Sequence, residues 1–246
     1  METEPYEDEG PSVLGSYAHA WGTLKAMPGR LILMLFLFAV LQLPAYADFG
    51  GAFGSLVGNL YRLLVLGPLT FGLSYCFLIA IRGNTPEVGD LFAPFQRAYT
   101  SAVAASFLLP VVLVIASLPM IGALGIVFLG DEPSPILTVA ASTLVALPIF
   151  AAVRLSFVPY LLIEEGLGPI DVLGESWART QPVQMPILGV EMLSAALLAI
   201  GLALLVVGAV PAMILAGLAI ATIYDDVSPD LPDEDDGVDL TPPSAV

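Results

Sequence analysis

Apolar residues in this chain fall in long blocks without charge, and those blocks predict its elements. A membrane-crossing helix needs about 20 such residues at ~1.5 Å each. The pattern predicts a first helix over 30–47 and a second over 58–81. A third lies within 101–129, part of the 33 uncharged residues between Arg97 and Asp131. A fourth covers 136–163. The last block, 186–224, has 39 residues. As one helix it would reach about 58 Å, against a hydrocarbon core of about 30 Å, so a split near Gly208–Pro211 is predicted, giving a fifth and a sixth span.

Two connections between spans keep helical spacing. One carries Leu91, Phe92, Phe95 and Tyr99, with Asp90 and Arg97 among them; the other carries Ile170, Leu173 and Trp177. Both predict short amphipathic helices lying at the membrane surface. Phe95, Arg97, Trp177 and Arg179 are their expected anchors, because aromatic rings and basic heads suit the headgroup level. Residues 13–27, with Tyr17 and Trp21, are a third candidate of this kind. Pro44, Pro68, Pro110, Pro119, Pro148, Pro159 and Pro211 punctuate the spans, and each removes a backbone donor and favours a kink. The fold class is therefore an all-α polytopic bundle of about six kinked spans with two cytoplasmic interfacial helices.

Composition supports that class and narrows the rest. Of 246 residues, 57% are hydrophobic and 12% charged, about half the charge of a soluble domain. Mean hydropathy is +0.89. Seven Lys and Arg against 23 Asp and Glu argue against nucleic acid as a partner and leave membrane lipids. Five acids lie in the first ten residues and eight from Asp225 onward, so thirteen of the net −16 belong to two ends without Lys or Arg. Acidic, Pro-rich segments of this kind cannot bury enough surface to order themselves. The organisation read from this is an acidic disordered tail at 1–12, a membrane domain at 13–226 and a second acidic tail at 227–246.

Basic residues orient a membrane protein. With the N-terminus inside, Lys25, Arg30, Arg82, Arg97 and Arg179 all become cytoplasmic, five of the seven. Asp48, Asp131 and Glu132 then fall outside, where Arg62 is expected to meet Asp48. The expected location is the cell (plasma or inner) membrane, multi-pass, with both termini cytoplasmic. Arg30, the apolar run 31–41 and Ala45-Tyr46-Ala47 also fit a cleaved signal sequence. The long acidic stretch before them favours an uncleaved first span.

The segments around 73–97 and 155–179 align at an offset of 82. Leu73-Ser74-Tyr75 matches Leu155-Ser156-Phe157, Leu91 matches Leu173, and Phe95-x-Arg97 matches Trp177-x-Arg179. Each unit is a span, a surface helix and a returning span in the same sense, a parallel repeat. Gly122, Gly125, Gly201 and Gly208 suit close helix contact, within one chain or between copies in a homo-oligomer.

Chemistry is sparse. His19 is the single histidine, which excludes a two-histidine metal site within one chain, and no cofactor is expected. Cys76, the single cysteine, sits mid-span and reads as packing. Two charges inside the spans remain. Arg154 lies nine residues before Ile163, about 13 Å deep, and Glu191 five residues after Pro186, about 7–8 Å deep. An isolated charge there costs about 2.5–3.5 kcal/mol on insertion scales, so the two are the candidate intramembrane pair.

One stretch carries a resemblance. Arg154-Leu155-Ser156-Phe157-x-Pro159 leads to Glu164-Glu165, then Gly168-Pro169, Leu173 and Ser176-Trp177-x-x-Thr180. It resembles the membrane domain of glycerophosphoryl diester phosphodiesterases and related prokaryotic integral membrane proteins. The resemblance implies a six-span bundle without a catalytic role of its own; the phosphodiesterase activity of that family resides in a separate soluble domain. In place of the family's usual basic residue after the Thr stand Gln181-Pro182. The expected function is a non-enzymatic integral membrane protein, a scaffold or envelope-associated component. The alternative is a transporter or lipid-handling protein using a kinked-helix cavity at Arg154 and Glu191. Reporter fusions at Glu4 and after Asp239 should both report the cytoplasmic side; an external C-terminal reporter would make 186–224 a single span.

Overall fold

A computed structural model of the chain describes residues 10–46, 51–129, 135–203 and 208–228. Residues 1–9 and 229–246, which make up most of the two acidic tails, and Ala47, Asp48, Asp131 and Glu132 lie outside the described residues. The described residues form helices joined by turns, with no strand among them. Six helices are long and apolar enough to cross a membrane: Pro28–Tyr46, Gly54–Ile81, Tyr99–Val127, Ala146–Glu164, Gln184–Ala203 and Ala209–Val227. The protein is an all-α, multi-pass membrane protein.

The chain opens with α1 (Val13–Ala26), started by Ser12, whose Oγ accepts from the Gly15 N–H at 3.1 Å. It buries Ser16, Ala20 and Leu24, one residue per turn, so this predicted surface helix packs into the bundle. Pro28 ends it and begins α2 (Pro28–Gln42), since the residue before a proline avoids helical geometry. The second span comprises α3 (Gly51–Tyr61), a π-helical segment Arg62–Leu66 and α4 (Gly67–Ile81). Pro68 has no N–H for the Leu64 carbonyl four residues back; the Tyr99 hydroxyl donates to it instead, at 3.2 Å.

Gly83, at φ 78°, turns the chain out of α4. The connection is α5 (Val88–Leu91), capped reciprocally by Glu87 and Asp90, then α6 (Ala93–Arg97). One helix was predicted here. Pro94 explains two, because it serves in a first turn but not in a helix interior. The long α7 (Tyr99–Leu129) follows, with Pro110 and Pro119 inside it.

The predicted fourth helix over 136–163 is three pieces: α8 (Pro135–Thr143), α9 (Ala146–Leu155) and α10 (Val158–Glu164). Pro148 and Pro159 sit in first turns, where a missing N–H costs little. Gly166, at φ 62°, leads to α11 (Asp171–Arg179). The last block does divide, into α12 (Gln184–Ala203) and α13 (Ala209–Val227). The second of them starts within the predicted interval, with Gly208 as its N-cap and Pro211 accommodated in its first turn.

The core lies where α4, α10 and α13 meet; Leu78, Leu161, Leu162, Leu218 and Tyr224 are fully buried. α7 lies at the periphery, and Phe107, Val114, Ile115, Leu118 and Ile121 on it are exposed. The α5–α6 connection is drawn tightly onto α4, and Gly72 makes this possible. A Cβ there would meet the Leu91 carbonyl oxygen at 1.9 Å, a backbone atom that cannot swing aside. Gly72→Ala should therefore destabilise the protein by about 1–3 kcal/mol, read as a lower melting temperature in detergent. Gly89→Ala, where nothing stands within 4 Å, is the matched control.

Candidate functional site

Three helices that run in the same direction, α4, α10 and α13, deliver Arg82, Glu164 and Asp225 to one end of the bundle. Arg82, the C-cap of α4, pairs through Nη1 with Glu164 Oε1, and its Nη2 lies 3.4 Å from Oε2. Its Nε donates to Asp225 Oδ1 at 2.7 Å. The Tyr224 hydroxyl donates to Glu164 Oε2 at 2.9 Å. The Tyr224 ring is stacked on Tyr160 at 4.8 Å and meets the edge of Phe157 at 5.3 Å. The Glu164 side chain is 7% exposed, so its charge depends on these donors rather than on water. Burial works against the Arg82 charge, but the hydrogen bonds to Glu164 and Asp225 outweigh it and hold the guanidinium protonated well above its ordinary range.

The next residue repeats the device in another direction. Arg179 Nη1 lies 2.6 Å from Glu165 Oε1, off the hydrogen-bond direction, while its Nε donates to Glu175 at 2.7 Å. Burial again opposes the charge and the carboxylates prevail, so Arg179 too is pushed up. Glu164 and Glu165 thus tie α10 to a span on one side and to α11 on the other. Arg97, which matches Arg179 in the repeat, donates from Nη1 to the Tyr75 hydroxyl at 3.0 Å and lies 5.4 Å from that ring centre. Each of these arginines ties its own connecting helix to the span before it. Phe95 stacks on Tyr99 at 5.5 Å.

Arg154 does not meet Glu191. The four ion pairs among the described residues join Arg82 and Arg179 to Glu164, Asp225, Glu165 and Glu175, so the predicted pair is corrected. The Arg154 side chain turns toward α11 rather than α12. It is 7% exposed, donates to the Trp177 carbonyl at 3.0 Å, and lies 5.2 and 5.1 Å from the Phe150 and Trp177 ring centres. Two π faces and a carbonyl replace the carboxylate. Its own carbonyl, at the break between α9 and α10, accepts from Ser176 Oγ at 2.8 Å and Thr180 Oγ1 at 3.4 Å. The Arg154 and Ser176-Trp177-x-x-Thr180 residues of the sequence motif therefore form one clamp between α9 and α11. Glu191 stands on an exposed face of α12.

The Arg82–Glu164 pair has no motif of its own. A usable signal was the repeat: the two residues are 82 positions apart, the offset of the two units, so equivalent positions pair with each other across the bundle. Among the described residues no three His, Cys, Asp or Glu side chains gather in a way that could hold a metal ion. No family model, curated protein or solved structure matches the chain.

A double-mutant cycle distinguishes the pair that forms from the one that does not. Arg82→Gln and Glu164→Gln should show a coupling of about 1–3 kcal/mol in reversible unfolding. Arg154→Leu and Glu191→Leu should add within about 0.5 kcal/mol.

Proposed function

We propose that this multi-pass membrane protein is a non-enzymatic scaffold of the cell membrane, with its arginine-bearing end and both termini in the cytoplasm. One observation carries the reading. Arg82 and Arg179 are spent on carboxylates at that end: Arg82 joins the ends of α4, α10 and α13 through Glu164 and Asp225, and Arg179 adds α11 through Glu165. A carboxylate that accepts from an arginine and a tyrosine in a nearly dry site is a fastening, suited to holding spans in one arrangement. A transport cycle needs spans that separate at one end and close at the other. The transport reading built on Arg154 and Glu191 loses support, since Arg154 turns to Trp177 and Glu191 stands on an exposed face of α12.

Spin-label distances test the reading. In a Cys76→Ser background, one labelled pair at Asn84 and Ile170 reports the arginine-bearing end, and another at Leu56 and Val139 reports the opposite end. A scaffold should give one narrow distribution for each pair, and gentle extraction should recover a companion protein at fixed stoichiometry. Two populations at one end, mirrored at the other, would be the signature of alternating access and would overturn it.

A further inference from the structure

The opposite end of the second span holds a cation of a different kind. Arg62 opens the π-helical segment Arg62–Leu66, in which the Gly67 N–H reaches back five residues to the Arg62 carbonyl. π-Helical turns widen the helix locally and recur at functional positions. Here the segment borders a groove of about 460 Å³ between the second span and α7. Arg62, Asn59 and Ser106 are its polar residues; Phe107, Val111 and Ile115 are part of its apolar wall. The volume lies within the range of small-molecule sites, and the wall is almost entirely hydrocarbon.

The guanidinium is held in place without being used up. Nη1 donates to Asn59 Oδ1 at 3.2 Å, Nη2 donates to the Ala45 carbonyl at 3.0 Å, and the Tyr46 ring centre is 5.7 Å away. Two of its five N–H donors are engaged among the described residues. Among the described residues no carboxylate pairs with it, whereas Arg82 and Arg179 have two each. Arg62 lies 19 residues before Ile81, about 28 Å along the helix, close to the ~30 Å thickness of a hydrocarbon core. Arg82 caps one end of this length and Arg62 begins it at the other. Tyr46 and Tyr61 accompany Arg62, and such residues gather at span ends.

An exposed cation with unused donors beside a groove walled by hydrocarbon has a definite complement. We infer that this groove binds one anionic glycerophospholipid, its phosphate on Arg62 and Asn59 and one acyl chain along α7. The arginine provides planar N–H donors suited to phosphate oxygens, and the groove excludes water from the chain beneath. This goes beyond the scaffold reading and does not depend on it.

Native mass spectrometry of the full chain, released from vesicles of equal phosphatidylglycerol and phosphatidylcholine, tests the inference. The wild-type protein should retain one phosphatidylglycerol per chain. Arg62→Gln should lower that retention about tenfold, the size expected for loss of a charged hydrogen bond, while Arg62→Lys should keep most of it. Val111→Trp fills the groove from a partly exposed position and should abolish retention with the cation intact. It therefore decides the question even if Arg62→Gln fails to fold. Inorganic phosphate should leave the lipid in place; displacement would mean a simple anion site and overturn the inference. Equal retention by the wild type, Arg62→Gln and Val111→Trp would do so as well. So would unchanged retention in Arg62→Gln with a severalfold rise in Asp48→Asn, since Asp48 would then be the partner of Arg62.

Discussion

Glu164 is a carboxylate that water hardly reaches, and the arrangement of the bundle's arginine-bearing end follows from satisfying it. A buried charge must find its donors inside the protein. Glu164 takes them from the end of α4, through Arg82, and from α13, through Tyr224. Those demands fix which helix ends must be level and adjacent. Tyr224 reaches the carboxylate only because its ring is packed between Phe157 and Tyr160. Packing in the core and charge at the rim therefore support the same register of α4, α10 and α13.

The backbone imposes a parallel demand. In an apolar medium a freed carbonyl is as unwelcome as a bare charge, and this chain breaks its helices often. Hydroxyls from neighbouring segments meet several of the breaks. Ser176 and Thr180 donate to the Arg154 carbonyl where α9 gives way to α10, and Tyr99 donates to the Leu64 carbonyl that Pro68 leaves free. Each repair also draws a connecting segment, or the first residue of a returning span, onto the span before it. The kinks are thus coupled to tertiary contacts.

The two ends of the second span show how the same residue type serves opposite ends. Arg82 is enclosed by carboxylates and binds helices together. Arg62 is exposed, oriented by an amide, a carbonyl and a ring, and borders an open groove. Sequence presents both simply as arginines near span ends. What separates them is the company brought by other helices: two acids at one end, and a widened helical turn with a peripheral helix at the other.

Much of the architecture was legible because hydrophobicity is local. Uncharged runs of sufficient length predicted six spans, and 39 residues were too many for one helix. The spacing of Leu91, Phe95, Leu173 and Trp177 predicted the connecting helices. Proline positions misled at 148 and 159, because a proline in a first turn is a helix starter and a sequence alone does not say where a helix begins. Charge pairing was the least legible feature. Depth alone made Arg154 and Glu191 plausible partners, yet depth says nothing of the direction in which a side chain points around its helix. Rotation about the helix axis is set by packing: it turns Arg154 to Trp177, leaves Glu191 on another face, and brings Arg82 to a glutamate 82 residues away. The sequence by itself determined where the chain crosses an apolar layer, since that depends on the composition of each segment alone. Only the tertiary structure decided which charges meet, because that depends on the relative rotation and height of helices remote in sequence.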